Sequence, residues 1–286
     1  MTPNILSLSL LLLLLPAMAR ADERTDMDRM AQEHQHDKPV PTQAAMEEPA
    51  HPVTAEEVTY GEVGGKPVRG YLAKPRTPQG VLPGVIVIHE WWGLNDNMRA
   101  MTRRLAGEGY QALAVDLFGG QTADNPDAAM KLVNAVLQNT APAGENLRHA
   151  VSYLERQGAP KIGVIGWCFG GGWSLATALL VPEKIAATVI YYGHLETDPV
   201  KLATIKSPIL GSFGAEDKSL PVASVREFEA ALKKLGKPVE IKIYDGAGHA
   251  FANPSGGNYR PEAAKDAWQR TTAFLARNLK SRSGGR

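Results

Sequence analysis

The sequence contains a single cysteine, Cys168, and the residues around it are typical of a nucleophile at a sharp turn. Gly166 and Gly170 flank it, an apolar run rich in β-branched residues precedes it, and a stretch of small residues follows. This order predicts a buried strand, a tight turn and a helix, with the sulfur at the turn. Glycine suits both flanking positions because the turn brings the two backbones too close together for a β-carbon. The N–H groups at the start of the helix favour an anion beside the sulfur.

Two other interpretations of Cys168 stay open at this point. A lone cysteine in an apolar segment is often a small buried hydrophobic residue without a chemical role. Glycine-rich strand-to-helix turns also occur in nucleotide-binding folds, although residues 166–172 match neither the dinucleotide pattern nor the phosphate-loop pattern. The choice therefore depends on residues elsewhere in the chain.

A cysteine nucleophile needs a base, and histidine is the side chain that accepts a proton near neutral pH. His249 lies in a glycine-rich loop between the last predicted strand and the last predicted helix. Asp217 follows an earlier strand and is the expected partner of His249, with Glu216 as the alternative acid. The order nucleophile, acid, histidine along the chain is that of α/β-hydrolases. Asp217 could instead cap the helix that begins near Pro221.

Two backbone N–H groups are predicted to form an oxyanion hole. One belongs to Phe169, directly after Cys168, and the other to Trp91, in the loop after an early strand. Glu90 precedes Trp91 and would place a carboxylate near the sulfur, where a negative charge disfavours the thiolate. The alternative for Glu90 is a strand-end carboxylate that faces water.

Predicted strands and helices alternate from about residue 57 onwards, without an internal repeat. A hairpin around Gly64 opens this region, and continuous apolar strands follow, of the kind that a parallel sheet buries on both faces. The pattern predicts one α/β domain with a mostly parallel central sheet and helices on both faces. Ligands of such sheets bind at the carboxyl ends of the strands. The polar residues expected to meet there are Glu90, Asp116, Cys168, Asp217 and His249.

The composition is that of an ordinary globular protein. The 286 residues are 44% hydrophobic and 21% charged, and the formal net charge is +1. A chain of this length and hydrophobic content can bury one sizeable core. A near-neutral charge without a basic cluster argues against a nucleic-acid partner. We expect no nucleic-acid partner. The expected partner is a small molecule, and we expect a monomer.

Residues 1–21 have the features of a secretory signal peptide. An apolar run at residues 5–15 is followed by small residues, and cleavage after Ala21 or Ala19 fits the usual site. The run is too short to span a bilayer. We expect export, to a bacterial periplasm, and no stable membrane association after cleavage. An idle exposed thiol is a liability in that compartment, so Cys168 is expected to be either buried or used.

Residues 22–56 are polar and contain prolines, and they are predicted to be a disordered linker. The folded domain is expected to span residues 57–286. Three histidines, at positions 34, 36 and 51, are candidate metal ligands in the linker. No cysteine or carboxylate accompanies them at a metal-binding spacing, so a solvated tail and no metal site are expected.

Six segments, taken together and in this order, resemble the dienelactone hydrolase family of the α/β-hydrolase superfamily, which includes carboxymethylenebutenolidases. They are HEWWG at 89–93, DLF at 116–118, GWCFGG at 166–171, YYG at 191–193, GAED at 214–217 and GHAF at 248–251. The resemblance covers about residues 57–280. It implies a hydrolase that opens enol-lactones through a Cys-Asp-His triad, without metal or organic cofactor.

The resemblance also assigns roles to individual residues. Cys168 is the nucleophile, His249 the base and Asp217 its partner, and Glu90 is the carboxylate that contacts the resting thiol. The residues expected to line the substrate pocket are Trp92, Tyr192 and Phe251.

Two positions depart from the family pattern. The reference members carry arginines that contact the substrate carboxylate, one shortly after the segment at 116–118 and one four residues beyond the histidine. Gly120 and Asn253 stand there in this chain, and neither can replace a bidentate guanidinium. Dienelactone itself is therefore in doubt as the substrate, and we expect little preference for anionic esters. Arg260 is a candidate replacement from the same loop.

Other functions remain as alternatives. A catalytically weak or inactive binding protein of the same fold is the second candidate. A thiol redox protein is disfavoured because the sequence has no second cysteine to resolve a mixed disulfide.

Overall fold

The computed structural model describes residue 25, residues 27–78 and residues 80–280. The predicted signal peptide, residues 1–21, and its cleavage site lie outside this part of the chain. Within it, eight strands form one sheet. They are β1 Val53–Val63, β2 Lys66–Pro75, β3 Gly84–Ile88, β4 Gln111–Val115, β5 Ile162–Trp167, β6 Ile185–Tyr191, β7 Ile209–Gly214 and β8 Val239–Tyr244.

The strands lie across the sheet in the order β1-β2-β4-β3-β5-β6-β7-β8. β1 and β2 form an antiparallel hairpin through Gly64 and Gly65, both at positive φ, and β2 also pairs antiparallel with β4. Every other neighbouring pair is parallel. The predicted mostly parallel α/β sheet is therefore confirmed, and the parallel strands all end at one edge.

Helices pack on both faces of the sheet. The helices of the described residues are α1 at residues 27–33, α2 Asp96–Gly107, α3 Pro126–Gln138, α4 Ala141–Arg156, α5 Phe169–Leu180, α6 Pro199–Leu202, α7 Val222–Lys234 and α8 Pro261–Leu279. A β-carbon at Gly84 would contact Leu154 of α4, whereas one at Gly163, in register with Val85, would contact Leu279 of α8. Because successive strand residues face opposite sides, α4 and α8 cover opposite faces. No helix in the described ranges has the length and apolar character to cross a membrane.

The centre of the sheet is buried, as its continuous apolar runs predict. Every residue of β3, β4 and β5 is buried, because helices cover both faces of these strands. Polar side chains fix where the flanking helices begin. Asn95 accepts a hydrogen bond from the Met98 N–H at 3.2 Å, and Asn125 accepts one from the Ala128 N–H at 3.0 Å.

The N-terminal segment, residues 27–52, differs from the disordered linker expected over residues 22–56. Its residues 27–33 form α1, and Met27 and Met30 are only 8% and 1% exposed. Two residues three positions apart share one face of a helix, so α1 buries a small apolar stripe. Further along, the Thr42 hydroxyl donates to the carbonyl of Pro254 at 3.2 Å. β1 then begins at Val53, before the expected domain boundary at residue 57.

Glycines allow the turn after β5. A β-carbon at Gly166 would lie 2.0 Å from the carbonyl oxygen of Gly170, and one at Gly170 would lie 2.3 Å from that of Ile88. A β-carbon at Gly193 would lie 2.3 Å from the carbonyl carbon of Gly171. Distances this short are impossible for any other residue type. The first turn of α5 is therefore pressed against the ends of β3 and β6.

This crowding predicts the effect of adding one methyl group. Gly166→Ala should lower the free energy of unfolding by about 3 kcal/mol, because the backbone must move to admit the β-carbon. Gly172→Ala is the matched control, since its β-carbon would meet its nearest neighbour at 3.4 Å. Alanine also has the higher helix propensity, so this control should change stability by less than about 1 kcal/mol. Urea unfolding of both variants measures the difference, and equal stabilities would contradict the expectation.

Candidate active site

Cys168 lies between the last residue of β5 and the first residue of α5, as the sequence predicts. Its backbone has φ 51° and ψ −119°, a conformation that L-residues rarely adopt, and its N–H donates to the Tyr191 carbonyl at 3.0 Å. The side chain is 4% exposed. The tight turn thus holds the thiol in one place at the edge where the parallel strands end.

Backbone strain concentrates around this thiol. Among the described residues, the non-glycine residues with positive φ are Cys168, Tyr192 and Ala250. Tyr192 directly follows β6, and Ala250 directly follows His249. Strained residues persist only where the surrounding structure fixes them, and they cluster at functional sites. The three loops that meet at Cys168 are therefore rigidly placed.

Asp217 and His249 form a buried pair. Asp217 Oδ2 lies 2.8 Å from His249 Nδ1, and the two residues are each 4% exposed. Asp217 Oδ1 accepts hydrogen bonds from the N–H groups of Ser219 and Leu220, both at 2.9 Å. Asp217 therefore orders its own turn rather than capping α7, and the alternative acid, Glu216, is exposed.

The loops that carry this pair are joined by their backbones. The Glu216 N–H donates to the Ala247 carbonyl at 2.9 Å. A β-carbon at Gly214 would lie 2.3 Å from the same carbonyl oxygen, so only glycine allows this approach. The end of β7 and the loop after β8 are thus held together, which sets the distance between the aspartate and the histidine.

The protonation states of the pair follow from burial and mutual charge. Burial lowers the pKa of His249, but the charges of Asp217 and Cys168 outweigh it and raise this pKa well above its usual value. Burial also raises the pKa of Asp217, yet the charge and hydrogen bond of His249 hold it below its usual value. An ionised Asp217 only accepts, so His249 donates through Nδ1. Its Nε2 atom makes no hydrogen bond of ordinary geometry with the described residues.

Glu90 is buried beside this pair and does not face water. It is 8% exposed, its Oε2 accepts from the Asn253 amide at 2.7 Å, and its Oε1 accepts from the Tyr192 hydroxyl at 3.4 Å. Burial raises the pKa of Glu90 to about 7, against the opposing effect of the His249 charge. The carboxyl group therefore changes its charge close to neutral pH.

His89 holds the loop that contains Glu90. Its Nε2 accepts from the Leu117 N–H at 3.1 Å, so the neutral ring carries its proton on Nδ1. Nδ1 lies 2.7 Å from the Glu90 carbonyl oxygen and donates to it. Burial lowers the pKa of His89, which keeps the ring neutral in this arrangement. His89 is thus a structural residue.

Two adjoining cavities border the thiol, and both are lined by Met30, Cys168 and His249. The first is also lined by Met27, Phe169 and Tyr192, so α1 of the N-terminal segment forms part of the cavity beside the thiol. The second is more polar, and its other lining residues are His34, Asp37, Glu90, Trp91, Trp92, Ala250 and Asn253. The predicted residues Phe169, Trp91, Trp92 and Tyr192 therefore lie at the cavities.

Two sequence expectations about the pocket are wrong. Phe251 is fully buried and lines neither cavity, because its ring packs edge-on against Tyr192 at 5.4 Å and at a tilt against Tyr244 at 4.9 Å. Arg260 is exposed, and its Nε donates to the Gly246 carbonyl at 3.1 Å instead of reaching the cavities. Neither residue therefore lines the cavities beside the thiol.

Two other features of the site were not predicted. From the sequence, Asn253 was notable only because it occupies a position where the family has an arginine. In the structure its amide donates to Glu90, and its side-chain oxygen accepts from the Ser255 N–H at 2.9 Å. His34 was expected in a solvated tail, yet it is 4% exposed and stacks edge-on near His249. The helical spacing of Met27 and Met30 was the one signal for a docked segment. No cluster of three or more metal-ligating side chains occurs in the described part.

A sheet of this order, with a buried cysteine at the strand-to-helix turn after β5 and a histidine after β8, defines an α/β-hydrolase. A model of the dienelactone hydrolase family matches residues 68–279. The chain therefore belongs to the dienelactone hydrolase family and is a hydrolase of the carboxylic ester and lactone class.

Individual relatives agree with this assignment. A protein of Saccharolobus solfataricus, provisionally named a carboxymethylenebutenolidase, is 34% identical over 259 residues, which cover 78% of this chain and 98% of the relative. Protein usf of Aquifex pyrophilus is 37% identical over 226 residues, which cover 76% and 96%. A crystal structure of a provisionally named dienelactone hydrolase from Klebsiella pneumoniae superposes with a TM-score of 0.71 at 30% identity. The superposed region covers 79% of this chain and 99% of the Klebsiella pneumoniae chain.

The raised pKa of Glu90 predicts how stability depends on pH. Protonation of Glu90 stabilises the fold, and this contribution is lost as the pH rises from about 4.5 through about 7. Glu90→Gln removes the titration, so its stability relative to the wild type should increase by about 3 kcal/mol between pH 4.5 and pH 8. Urea unfolding across this range measures the change, with the exposed Glu216→Gln as control. Parallel curves for wild type and Glu90→Gln would contradict it.

Proposed function

We propose that this protein hydrolyses a small carboxylic ester or enol-lactone by acyl transfer through Cys168, with His249 and Asp217 completing a catalytic triad. The observation that carries the proposal is the cavity that Cys168 shares with the Asp217-bound His249. His249 takes the thiol proton as the sulfur attacks the carbonyl carbon, and it passes that proton to the leaving alcohol oxygen. It then takes a proton from water, which attacks the thioacyl-enzyme, releases the acid and restores the thiol.

The oxyanion of each tetrahedral intermediate is expected to bind two backbone N–H groups. Phe169 is the first residue of α5, and the N–H groups of a first helical turn have no intrahelical acceptor. Trp91 lines the same cavity as Cys168. One such donor contributes about 3 kcal/mol to transition-state stabilisation. The positive end of the α5 dipole adds to the same field.

Glu90 is proposed to restrain the free thiol. An ionised carboxylate close to the sulfur disfavours the thiolate, and the oxidation of cysteine depends on the thiolate. Burial of Glu90 and its bonds to Asn253 and Tyr192 hold this carboxyl group in place. The Cys168 thiol would therefore stay mostly protonated until a substrate binds and shifts its protonation equilibrium.

The proposed substrate has an uncharged acyl group. Among the described residues, neither Arg nor Lys lines the two cavities, and Asn253 is already engaged by Glu90. A second carboxylate on the substrate would therefore meet no permanent cation. We also propose, from the sequence alone, that the chain is exported to a periplasm after removal of residues 1–21 and acts as a monomer.

A binding protein with the same fold and little or no turnover is the second candidate. The burial of Cys168 favours it, because the thiol is only 4% exposed and Met27 and Met30 of α1 line the cavity beside it. Activity measurements separate the two candidates directly.

Replacing the proposed nucleophile or base should abolish ester hydrolysis. We expect Cys168→Ala and His249→Ala each to lower the turnover of 4-nitrophenyl acetate by about 10³-fold or more, because neither acylation nor proton transfer remains. His36→Ala, an exposed histidine, is the control and should retain full activity. Turnover that survives Cys168→Ala would exclude the proposed mechanism. A wild-type protein inactive on small esters and lactones would favour the binding protein.

The role of Glu90 can be tested on the thiol itself. With one cysteine in the chain, iodoacetamide alkylation followed by mass spectrometry reports Cys168 alone. Above pH 7, where Glu90 is ionised, Glu90→Gln should raise the alkylation rate, and below pH 6 the two proteins should react alike. Equal rates at every pH, or a wild-type thiol fully reactive below about pH 6, would remove the restraining role.

A further inference from the structure

A second histidine–aspartate pair reaches the thiol cavity from the N-terminal segment. His34 Nδ1 lies 2.7 Å from Asp37 Oδ2, and His34 is 4% exposed. Both residues line the cavity that also contains Cys168 and His249. The ring centroid of His34 is 5.7 Å from that of His249, with the rings edge to face. This pair therefore repeats, beside the thiol, the arrangement of Asp217 and His249.

The orientation of the His34 ring is fixed from several sides. Asp37 Oδ1 accepts from the Gly257 N–H at 3.4 Å, which ties the pair to the loop after β8. The ring also packs edge-on near Trp91, with centroids 6.5 Å apart. Met30, one helical turn before His34, is 1% exposed and anchors α1. The imidazole is thus built into the cavity wall.

The proton of the His34 ring can be assigned from its partner. Burial acts to raise the pKa of Asp37, but the hydrogen bond and charge of His34 lower it below its usual value. An ionised carboxylate only accepts, so His34 Nδ1 carries the proton and Nε2 of the neutral ring is an acceptor. His34 Nε2 is buried without a hydrogen-bond partner in the described part of the chain, and so is His249 Nε2. Once His249 has passed its proton to the leaving alcohol, its ring is neutral as well, so in the acyl-enzyme both Nε2 atoms are acceptors and the cavity fits a ligand with two donors.

We propose that His34 and His249 together bind the water that hydrolyses the acyl-enzyme, a role that rests on the proposed function. The water donates one hydrogen to each Nε2, which leaves an oxygen lone pair free to attack the acyl carbon. His249 takes one proton as the oxygen–carbon bond forms. The carbon–sulfur bond then breaks with its electron pair going to sulfur, and the proton on His249 moves to that sulfur as the carboxylic acid leaves. His34 gains no proton overall, and it acts by holding the second hydrogen.

This role separates the two halves of the reaction. Acylation by 4-nitrophenyl acetate needs Cys168 and His249 but no water, whereas deacylation needs the oriented water. In His34→Ala the burst of 4-nitrophenolate should keep its rate, and steady-state turnover should fall about 10- to 100-fold. Acetylated Cys168 should then accumulate, and intact-mass spectrometry detects it without ambiguity because the chain has one cysteine.

Two further variants distinguish chemistry from packing. Asp37→Asn keeps the size of the side chain, but an amide that donates to Nδ1 leaves the proton on Nε2, which can then no longer accept from water. It should accumulate the acyl-enzyme as His34→Ala does. His34→Gln offers an amide oxygen as acceptor and should recover part of the turnover. The matched control is His36→Ala, on the exposed side of the same segment, which should behave as the wild type.

The alternative outcomes are distinct. Unchanged or faster turnover in His34→Ala without accumulation of acyl-enzyme would overturn the proposal. The N-terminal segment would then only cover the cavity. Equal slowing of burst and turnover would also overturn it, because His34 would then act on substrate binding. Normal deacylation in Asp37→Asn would exclude the acceptor role of Nε2. A wild-type protein that neither turns over 4-nitrophenyl acetate nor takes an acetyl group on Cys168 would instead refute the proposed function itself, and this inference with it.

Discussion

The backbone contact at the turn after β5 is the constraint on which the rest of the site depends. Gly166 and Gly170 approach so closely that no β-carbon fits between them, and this forces Cys168 into its rare conformation. The same contact presses the start of α5 against the ends of neighbouring strands. The thiol and the first N–H groups of the helix are therefore placed together by packing of the sheet, independently of any side-chain interaction.

Burial then sets the chemistry of the groups around the thiol. Removal from water alone would leave Asp217 protonated and His249 neutral, yet their mutual charge reverses both effects. For Glu90, the charge of His249 offsets the effect of burial only in part, so the pKa stays raised and the carboxyl group titrates near neutral pH. Three ionisable side chains of similar burial thus differ in charge because each has different partners. α1 contributes to this burial, since Met30 is 1% exposed and lines the same cavity.

Most of the fold and the catalytic candidates could be predicted from the sequence because their signals are local. Buried parallel strands read as apolar runs, and the residues that follow them, such as His249, meet at one edge of the sheet. The docking of His34 could not be predicted, because its segment is polar and its burial depends on contacts with loops distant in the chain. The same holds for Asn253 and Phe251, whose neighbours are decided by loop conformation rather than by motif.

The two outer strands of the sheet bear on the solubility of the molecule. β1 lies at one edge, is interrupted by a register shift between Thr59 and Gly61, and carries Glu56 and Glu57. β8 lies at the other edge, where Glu240 pairs with Arg277 of α8. Irregular pairing and charge make an edge strand a poor template for another chain. Both edge strands of this sheet, whose centre is apolar, are therefore poorly suited to pair with another chain and to start aggregation.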